Sequence, residues 1–348
     1  MIIDDLNVPI VLAPMAGGPS TPELTVAVTE AGGFGLLAAG YLSAADTAAR
    51  ITATRALTGA PFGVNLFVPG PAAPAAAFAD YLAELAREHP VGDAKYDTDD
   101  WDAKLDLLVA DPVAAVSFTF GCPSAAEIAR LHAVGSEIWV TVTSAAEAAV
   151  AVERGADVLI TQGAEAGGHR ATFVDRPEDD ATDPLSVLAL LQLLRAATDR
   201  PVVATGGIST GAGIAAALAA GAAAVQLGTV FLRCPEAGTN PLHRAALSSD
   251  TPTMLTRAFT GRRARGLRNR FMVEHSATAP AAYPEIHYAT GPLRAAARTA
   301  GNPENVNLWA GQTHSLAPEL PAGELVRKLA ADTKSALNAA LSRRIQVC

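Results

Sequence analysis

Short apolar runs recur along the chain, and after each come small or polar residues and then, as a rule, an alanine-rich stretch with helical spacing. Eight runs can be read: PIVLAPM, FGLLAAG, FGVNLF, AAVSFTF, EIWVTVT, DVLITQG, PVVATGG and AAVQLGT. A strand-like run alternating with a helical stretch is the pattern of βα units in a parallel sheet. The helical stretches include TPELTVAVTEAGG, SAADTAARITATRALTG, PSAAEIARLHAVG, SAAEAAVAVERGA and DPLSVLALLQLLRAAT. In the last, Asp183 is placed to cap the free N–H groups and Pro184 to occupy the first turn. Eight consecutive units within about 230 residues predict an α/β fold, a closed (β/α)8 or TIM barrel rather than an open doubly wound sheet.

Two regions exceed a minimal barrel. Residues 69–111, with PGPAAPAAA and the acidic KYDTDDWD, read as an insertion after the third run. Beyond Phe231 the chain runs on for more than a hundred residues, through Pro-rich and Arg-rich stretches and Trp309, to a final helix GELVRKLAADTKSALNAALSRR. The expected division is a barrel over 1–232 and a region over 233–348 that completes the barrel and covers its mouth. The longest uncharged segment, GIAAALAAGAAAVQLGTVFL, has the length of a membrane span. Ile214 and Leu218 share a helix face there, Gly221 interrupts, and AAVQLGT then reads as strand, so the segment is helix followed by strand.

With half its residues hydrophobic, the chain can bury a large core, and its net charge of −9 argues against a nucleic acid or an anionic membrane surface as partner. The local exception is Arg262, Arg263, Arg265, Arg268 and Arg270, read as a solvated or structural cluster. Cys122, Cys234 and Cys348 lie far apart without CxxC spacing, so neither a disulfide framework nor a zinc site is expected. With an acidic N-terminus that is no signal peptide, a reducing cytoplasmic setting fits.

Catalytic groups in such a barrel sit at the C-terminal ends of the strands. Met15, Asn65, Gln162, Gly206, Gly207, Gln226, Gly228 and Thr229 occupy these ends, offering amides, hydroxyls and bare backbone but almost no charge. The seventh and eighth runs end in GGIST and QLGT, where glycines let N–H groups approach a phosphate and the next helix start favours an anion. GAGIAA from Gly211 satisfies a dinucleotide pattern, but it follows the seventh run rather than opening the first βαβ unit. A phosphate cradle beside neutral amides suits FMN. His169 follows a glycine-rich loop after the sixth run, where its side chain can swing over a flavin face. No metal-ligand spacing and no Ser/His/Asp or Cys/His set is evident, and Cys122 reads as a small buried residue.

Taken together, APMAGGPSTPEL, FGVNLFVP, VSFTFG, QGAEAGGHRATF, ATGGISTGAGIAAALAAGAAAVQLGTVFL, TGRRARGLRNRF and LWAGQ resemble the successive motifs of the nitronate monooxygenases, formerly 2-nitropropane dioxygenases. The resemblance implies a barrel that binds FMN and oxidises alkyl nitronates with O2 to a carbonyl compound and nitrite. It implies that Asn65 and Gln162 bind the flavin ring region and that Ala13 to Met15 pass backbone beneath it. Gly167 and Gly168 would let a loop approach the cofactor, while Gly206, Gly207, Gln226, Leu227, Gly228 and Thr229 hold its phosphate end. His169 would be the catalytic residue, either as a base toward the carbon beside a nitro group or, protonated, as a partner for an anionic nitronate. Tyr283 or Tyr288 would help close the site, on a monomer or a homodimer. FMN-dependent enoyl-acyl-carrier-protein reductases and NADH:quinone reductases carry a similar glycine-histidine loop and form the alternative. A non-redox isomerase or lyase acting on a sugar phosphate would usually need a lysine or paired carboxylates at the strand ends, which are not found.

Overall fold

The computed structural model describes residues 1–178 and 183–342, so Cys348 and the arginines that close the expected final helix lie outside it. The strands follow the apolar runs: β1 (Ile10–Leu12), β2 (Leu36–Ala38), β3 (Gly63–Phe67), β4 (Ala115–Thr119), β5 (Glu137–Val142) and β6 (Val158–Gln162). A two-residue strand, β7 (Gly168–His169), belongs to another sheet, and the barrel resumes with β8 (Val202–Thr205) and β9 (Ala224–Leu227). The eight long strands pair in parallel in the order β1-β9-β8-β6-β5-β4-β3-β2. Phe34 joins the two ends: its N–H donates to Ile10 O at 3.0 Å and its carbonyl accepts from Leu12 N at 2.9 Å. The sheet therefore closes and leaves no edge to protect.

Alternation along each strand divides the core in two. Ile10, Leu12, Val64, Leu66, Val116, Val140, Leu159, Val202 and Leu227 join the layer beneath the helices. Val11, Leu36, Ala115, Trp139, Val158, Ile160, Val203 and Ala224 form a separate cluster filling the barrel, with Phe34 and Ile3 among them. Continuing that inward parity toward the C-terminal ends gives Ala13, Asn65, Ser117, Thr141, Gln162, Thr205 and Gln226. The lumen changes there from hydrocarbon to amides and hydroxyls, and that change builds the floor of the site.

Hydroxyl caps start most of the helices between strands. Thr21, Ser43, Ser124, Ser144 and Thr210 accept from backbone N–H groups at α1 (Pro22–Glu30), α2 (Ala44–Leu57), α5 (Ala125–His132), α6 (Ala145–Arg154) and α8 (Gly211–Ala219). α7 (Val187–Ala197) corrects the expected cap: Ser186, not Asp183, accepts from Ala189 N at 3.2 Å. Its hydroxyl sits three residues before that N–H, and Pro184 precedes the first turn.

The 69–111 stretch holds both α3 (Ala79–Leu85) and α4 (Trp101–Ala110), and α4 is the ordinary barrel helix between β3 and β4, in contact with α2 and α5. The added segment is thus the part before Trp101. Its Phe78, Tyr81 and Leu85 pack on Phe259, Phe271, Met272 and Ile286 of the C-terminal region. That region contains α9 (Pro241–Ala246), β10 (Thr253–Thr256), β11 (Ala264–Leu267), α10 (Arg270–His275), α11 (Glu285–Ala289) and α12 (Gly291–Thr299). The final helix, α13 (Ala322–Leu341), leaves the mouth and packs on α8 and α1, filling the eighth helix position of the wall. Among the described residues no helix is long and apolar enough to cross a membrane.

Candidate active site

β11 pairs antiparallel with β10 on one side and with β7 on the other, setting Ala264 opposite His169 and Arg265 opposite Gly168. The catalytic-loop candidate is therefore a strand, held by a hairpin from the C-terminal region. Arginines staple it. Arg262 Nε donates to Arg170 O at 3.1 Å, Arg265 Nε to Ala164 O at 2.9 Å, and Arg170 Nη1 to Gly163 O at 2.6 Å. Arg262 also lies 4.1 Å above the Phe120 ring. Arg262 and Arg265 are buried, whereas Arg268 and Arg270 are exposed, so the basic cluster is split between structural staples and solvent.

Over the barrel mouth lies a cavity of about 710 Å³. Ala13, Met15, Asn65, Gln162, Gly167, Gly168, His169, Gly206, Gly207, Gln226, Gly228 and Thr229 line it, so the structure brings nearly all the expected positions together. Leu227 is the exception: its side chain is buried in the layer beneath the helices and lines nothing. Two of these residues also have protein partners. Gln162 Nε2 donates to His169 O at 2.9 Å and its Oε1 accepts from Ala171 N at 2.9 Å, so this amide ties the histidine segment to β6. A Cβ on Gly167 would meet Gly311 N at 2.5 Å, so its bareness serves the approach of the C-terminal segment. Gly168, at φ +77°, has open space beside it.

At one end of the cavity the loops after β8 and β9 meet. Gly207 has φ +64°, and a Cβ there would meet Glu165 Cβ at 2.6 Å. The N–H groups of Gly207, Ile208, Ser209, Gly228 and Thr229 donate to no protein atom among the described residues. Thr313 closes this end, with its hydroxyl 3.0 Å from Gly207 O and 2.7 Å from Ser209 Oγ. Converging free N–H groups beside the start of α8 form an anion cradle. Between the two ends, Gln226 Oε1 is buried without a partner, as is Asn307 Oδ1. Asn65 Nδ2 donates to Ser117 Oγ at 2.9 Å and to Thr119 Oγ1 at 3.1 Å.

At the other end the rings of Phe120, Tyr283 and Trp309 surround His169, with centroids 5.7, 5.6 and 5.5 Å from the imidazole. The ring lines the cavity and is part-buried. Burial, reinforced by the Arg262 and Arg294 guanidiniums, pushes its pKa down to about 3. His169 is therefore neutral at physiological pH. Burial also lowers His243 to about 4, and holds His287 well below its usual value with Arg294 adding to the effect. Tyr283 donates its hydroxyl to Tyr41 at 3.0 Å, and Tyr41 stacks on His287 at 4.2 Å with the planes 4° apart. Tyr288 does not line the cavity; it lies under Lys95 at 4.4 Å. Cys122 is buried in the core with its thiol pushed up to about 11, and it too is absent from the lining.

The charge balance of the cavity is one-sided. Arg294 and Arg298 line it, and no carboxylate does among the described residues. Arg294 is 7% exposed, and its contacts are carbonyls, those of Thr290 and His287. Its pKa falls to about 10 through burial, which leaves it a cation.

Across residues 2–332 the sequence matches the family model described as nitronate monooxygenase. The chain belongs to the nitronate monooxygenase family. Within that family it is 44% identical to a nitronate monooxygenase of Pseudomonas aeruginosa, over 92% of this chain and 95% of the relative. Its fold superimposes on a nitroalkane oxidase from Streptomyces ansochromogenes with a TM-score of 0.95 and 50% identity, covering 98% of this chain and 99% of that one. FabK from Thermotoga maritima is more distant, with a TM-score of 0.73 and 26% identity over 98% of this chain and 96% of its own.

Sequence reasoning missed Tyr41, His243, Thr260, His287, Arg294, Asn307 and Thr313. Tyr41 follows the second apolar run, so the strand-end rule reaches it. The others come from the irregular C-terminal region and carry no periodic signal.

Proposed function

We propose that the protein oxidises alkyl nitronates with O2 to an aldehyde or ketone and nitrite, using FMN, and that it also accepts neutral nitroalkanes after removal of a proton by His169. The observation that carries this reading is one cavity holding a neutral imidazole, a buried guanidinium with no carboxylate partner among the described residues, and an anion cradle of backbone N–H groups. The family membership and the nitroalkane oxidase likeness agree with it.

The residues present fit FMN. Gly207 to Ser209, Gly228 and Thr229 offer N–H groups for its phosphate, and the unpartnered Gln226 Oε1 offers an acceptor for an N–H of its ring. Ala13 and Met15 would lie against the ring, with Asn65 beside it. When bound, FMN would supply the electron transfers between nitronate and oxygen.

The protein's share is binding, orientation and proton handling. Arg294 holds the anionic nitronate oxygens, since a buried cation with no counter-ion among the described residues gains most from an anion. His169, neutral and within the same chamber, takes the proton from the adjacent carbon of a neutral nitroalkane. Phe120, Tyr283 and Trp309 keep water away from both. Cys122 and Cys234 are free and buried, in keeping with a cytoplasmic setting.

The test mixes the purified protein, FMN and propyl nitronate under air and follows oxygen uptake and nitrite. Stoichiometric nitrite supports the proposal; rapid NADH oxidation without nitrite from nitronates replaces it with a reductase function. For Arg294→Met, KM for nitronates should rise by roughly tenfold to a hundredfold, the range of a charge-assisted hydrogen bond, while FMN affinity is unchanged. The ligand-free variant should be at least as stable as the parent, because an unpaired buried charge has gone. A parallel loss of FMN would move Arg294 to the cofactor.

A further inference from the structure

We propose that Thr260 fixes the tautomer of His169, keeping the proton on Nε2 and leaving Nδ1 as the atom that receives the substrate proton. This rests on the reading of His169 as a base.

Thr260 is 1% exposed and stands behind the imidazole, with Oγ1 3.0 Å from His169 Nε2. The same hydroxyl is 3.2 Å from the carbonyl oxygen of Arg262 and 3.4 Å from its N–H. A hydroxyl has one proton to give, so two arrangements compete. In the first it donates to Arg262 O, accepts from Arg262 N, and accepts the Nε2–H of the ring. Every group is then paired except Nδ1, which keeps a lone pair toward the cavity. In the second it donates to Nε2, which strands the buried Arg262 carbonyl and forces a proton onto Nδ1, where no protein acceptor exists among the described residues. The second arrangement leaves a buried carbonyl without a donor, a cost that the first avoids.

The ring backbone is fixed separately. Gln162 holds the His169 carbonyl and β11 pairs with β7, so Thr260 decides the ring's protonation pattern rather than the course of the chain. In the proton transfer, the substrate C–H bond breaks as Nδ1–H forms. The electron pair of that bond passes into the nitro group and yields the nitronate. The imidazolium that results keeps Nε2–H on Thr260.

The tautomer can be read directly from nitrogen NMR of the FMN-loaded enzyme labelled at histidine, with the His169 signals identified by their loss in His169→Asn. A protonated Nε2 and an unprotonated Nδ1 are expected. In Thr260→Val the ring should become mixed or Nδ1-protonated. Its kcat with nitroethane should fall roughly tenfold to a hundredfold, as for loss of an orienting partner, while kcat with ethyl nitronate changes little. Thr260→Ser should restore both the tautomer and the rate. An Nδ1-protonated ring in the unsubstituted enzyme, or an unchanged tautomer in Thr260→Val, overturns the proposal even where the base reading stands. Full nitroethane turnover by His169→Asn instead removes the base reading and with it the assignment of Nδ1 as acceptor, and the NMR result shows which of the two has failed.

Discussion

His169→Asn is expected to retain FMN and its fold while losing roughly a hundredfold to ten-thousandfold of its turnover of neutral nitroalkanes, the usual share of a positioned general base. The fold should survive because the residue is held through its backbone: β7 pairs with β11 and the His169 carbonyl accepts from Gln162, and neither contact involves the ring. Asparagine is polar enough to face the cavity but cannot accept a proton from carbon at neutral pH. Preformed nitronates have already lost that proton, so their oxidation should fall much less. Nitrite release from nitroethane and from ethyl nitronate, measured side by side, separates the roles left open by the sequence. Equal losses on both substrates would make His169 an electrostatic partner rather than a base, and unchanged rates on both would remove it from the reaction.

The barrel was legible because each of its strands is buried on both faces, which writes itself into the sequence as an unbroken apolar run. Parity then placed Asn65, Gln162 and Gln226 on the lumen side, above Trp139, Ile160 and Ala224. Leu227 is one step off that parity, which sends its side chain beneath the helices. The helix start at Ser186 rather than Asp183 shows a local competition between two capping residues three apart, which propensity alone does not settle. What the sequence did not carry is the roof. Arg294, His287, Thr260 and Trp309 come from short elements and connecting segments; α11, for instance, has five residues, too few for any period to emerge. Gly167 illustrates a subtler limit. Its lack of a side chain was visible, but the neighbour that demands it, the Ala310–Gly311 backbone, lies more than a hundred positions away in the chain.

The stability of the protein should fall steeply as pH drops from about 7 to about 5, before any carboxylate of ordinary acidity titrates. The cause is the set of histidines kept neutral around the cavity. His169 is pushed down to about 3, His243 to about 4, and His287 well below its usual value, in each case chiefly by burial. In the unfolded chain the same groups titrate near 6.5. Between those limits the unfolded state binds more protons than the folded one, so stability rises with pH across the window and is lost as pH falls through it. His169 and His243 each contribute about 1.4 kcal/mol per pH unit below the unfolded value, hence about 2 kcal/mol each at pH 5. Together they approach about 4 kcal/mol, a large part of the 5–15 kcal/mol by which folded domains usually exceed their unfolded state, and His287 adds in the same direction. Asp97 and Glu127, whose pKa values are lowered, add to the loss only at lower pH. Urea unfolding at a series of pH values measures the slope. His243 shows how one group can be isolated: its Nε2 lies 3.0 Å from Trp309 O, so the neutral ring donates there, and His243→Gln should keep a donor while removing one titrating proton. The slope between pH 6 and pH 5 should then fall by about 1 kcal/mol per pH unit, the share of one proton. A stability that is flat from pH 7 to pH 5 would mean that these imidazoles are not held neutral, and the same result would withdraw the ground for treating His169 as a base.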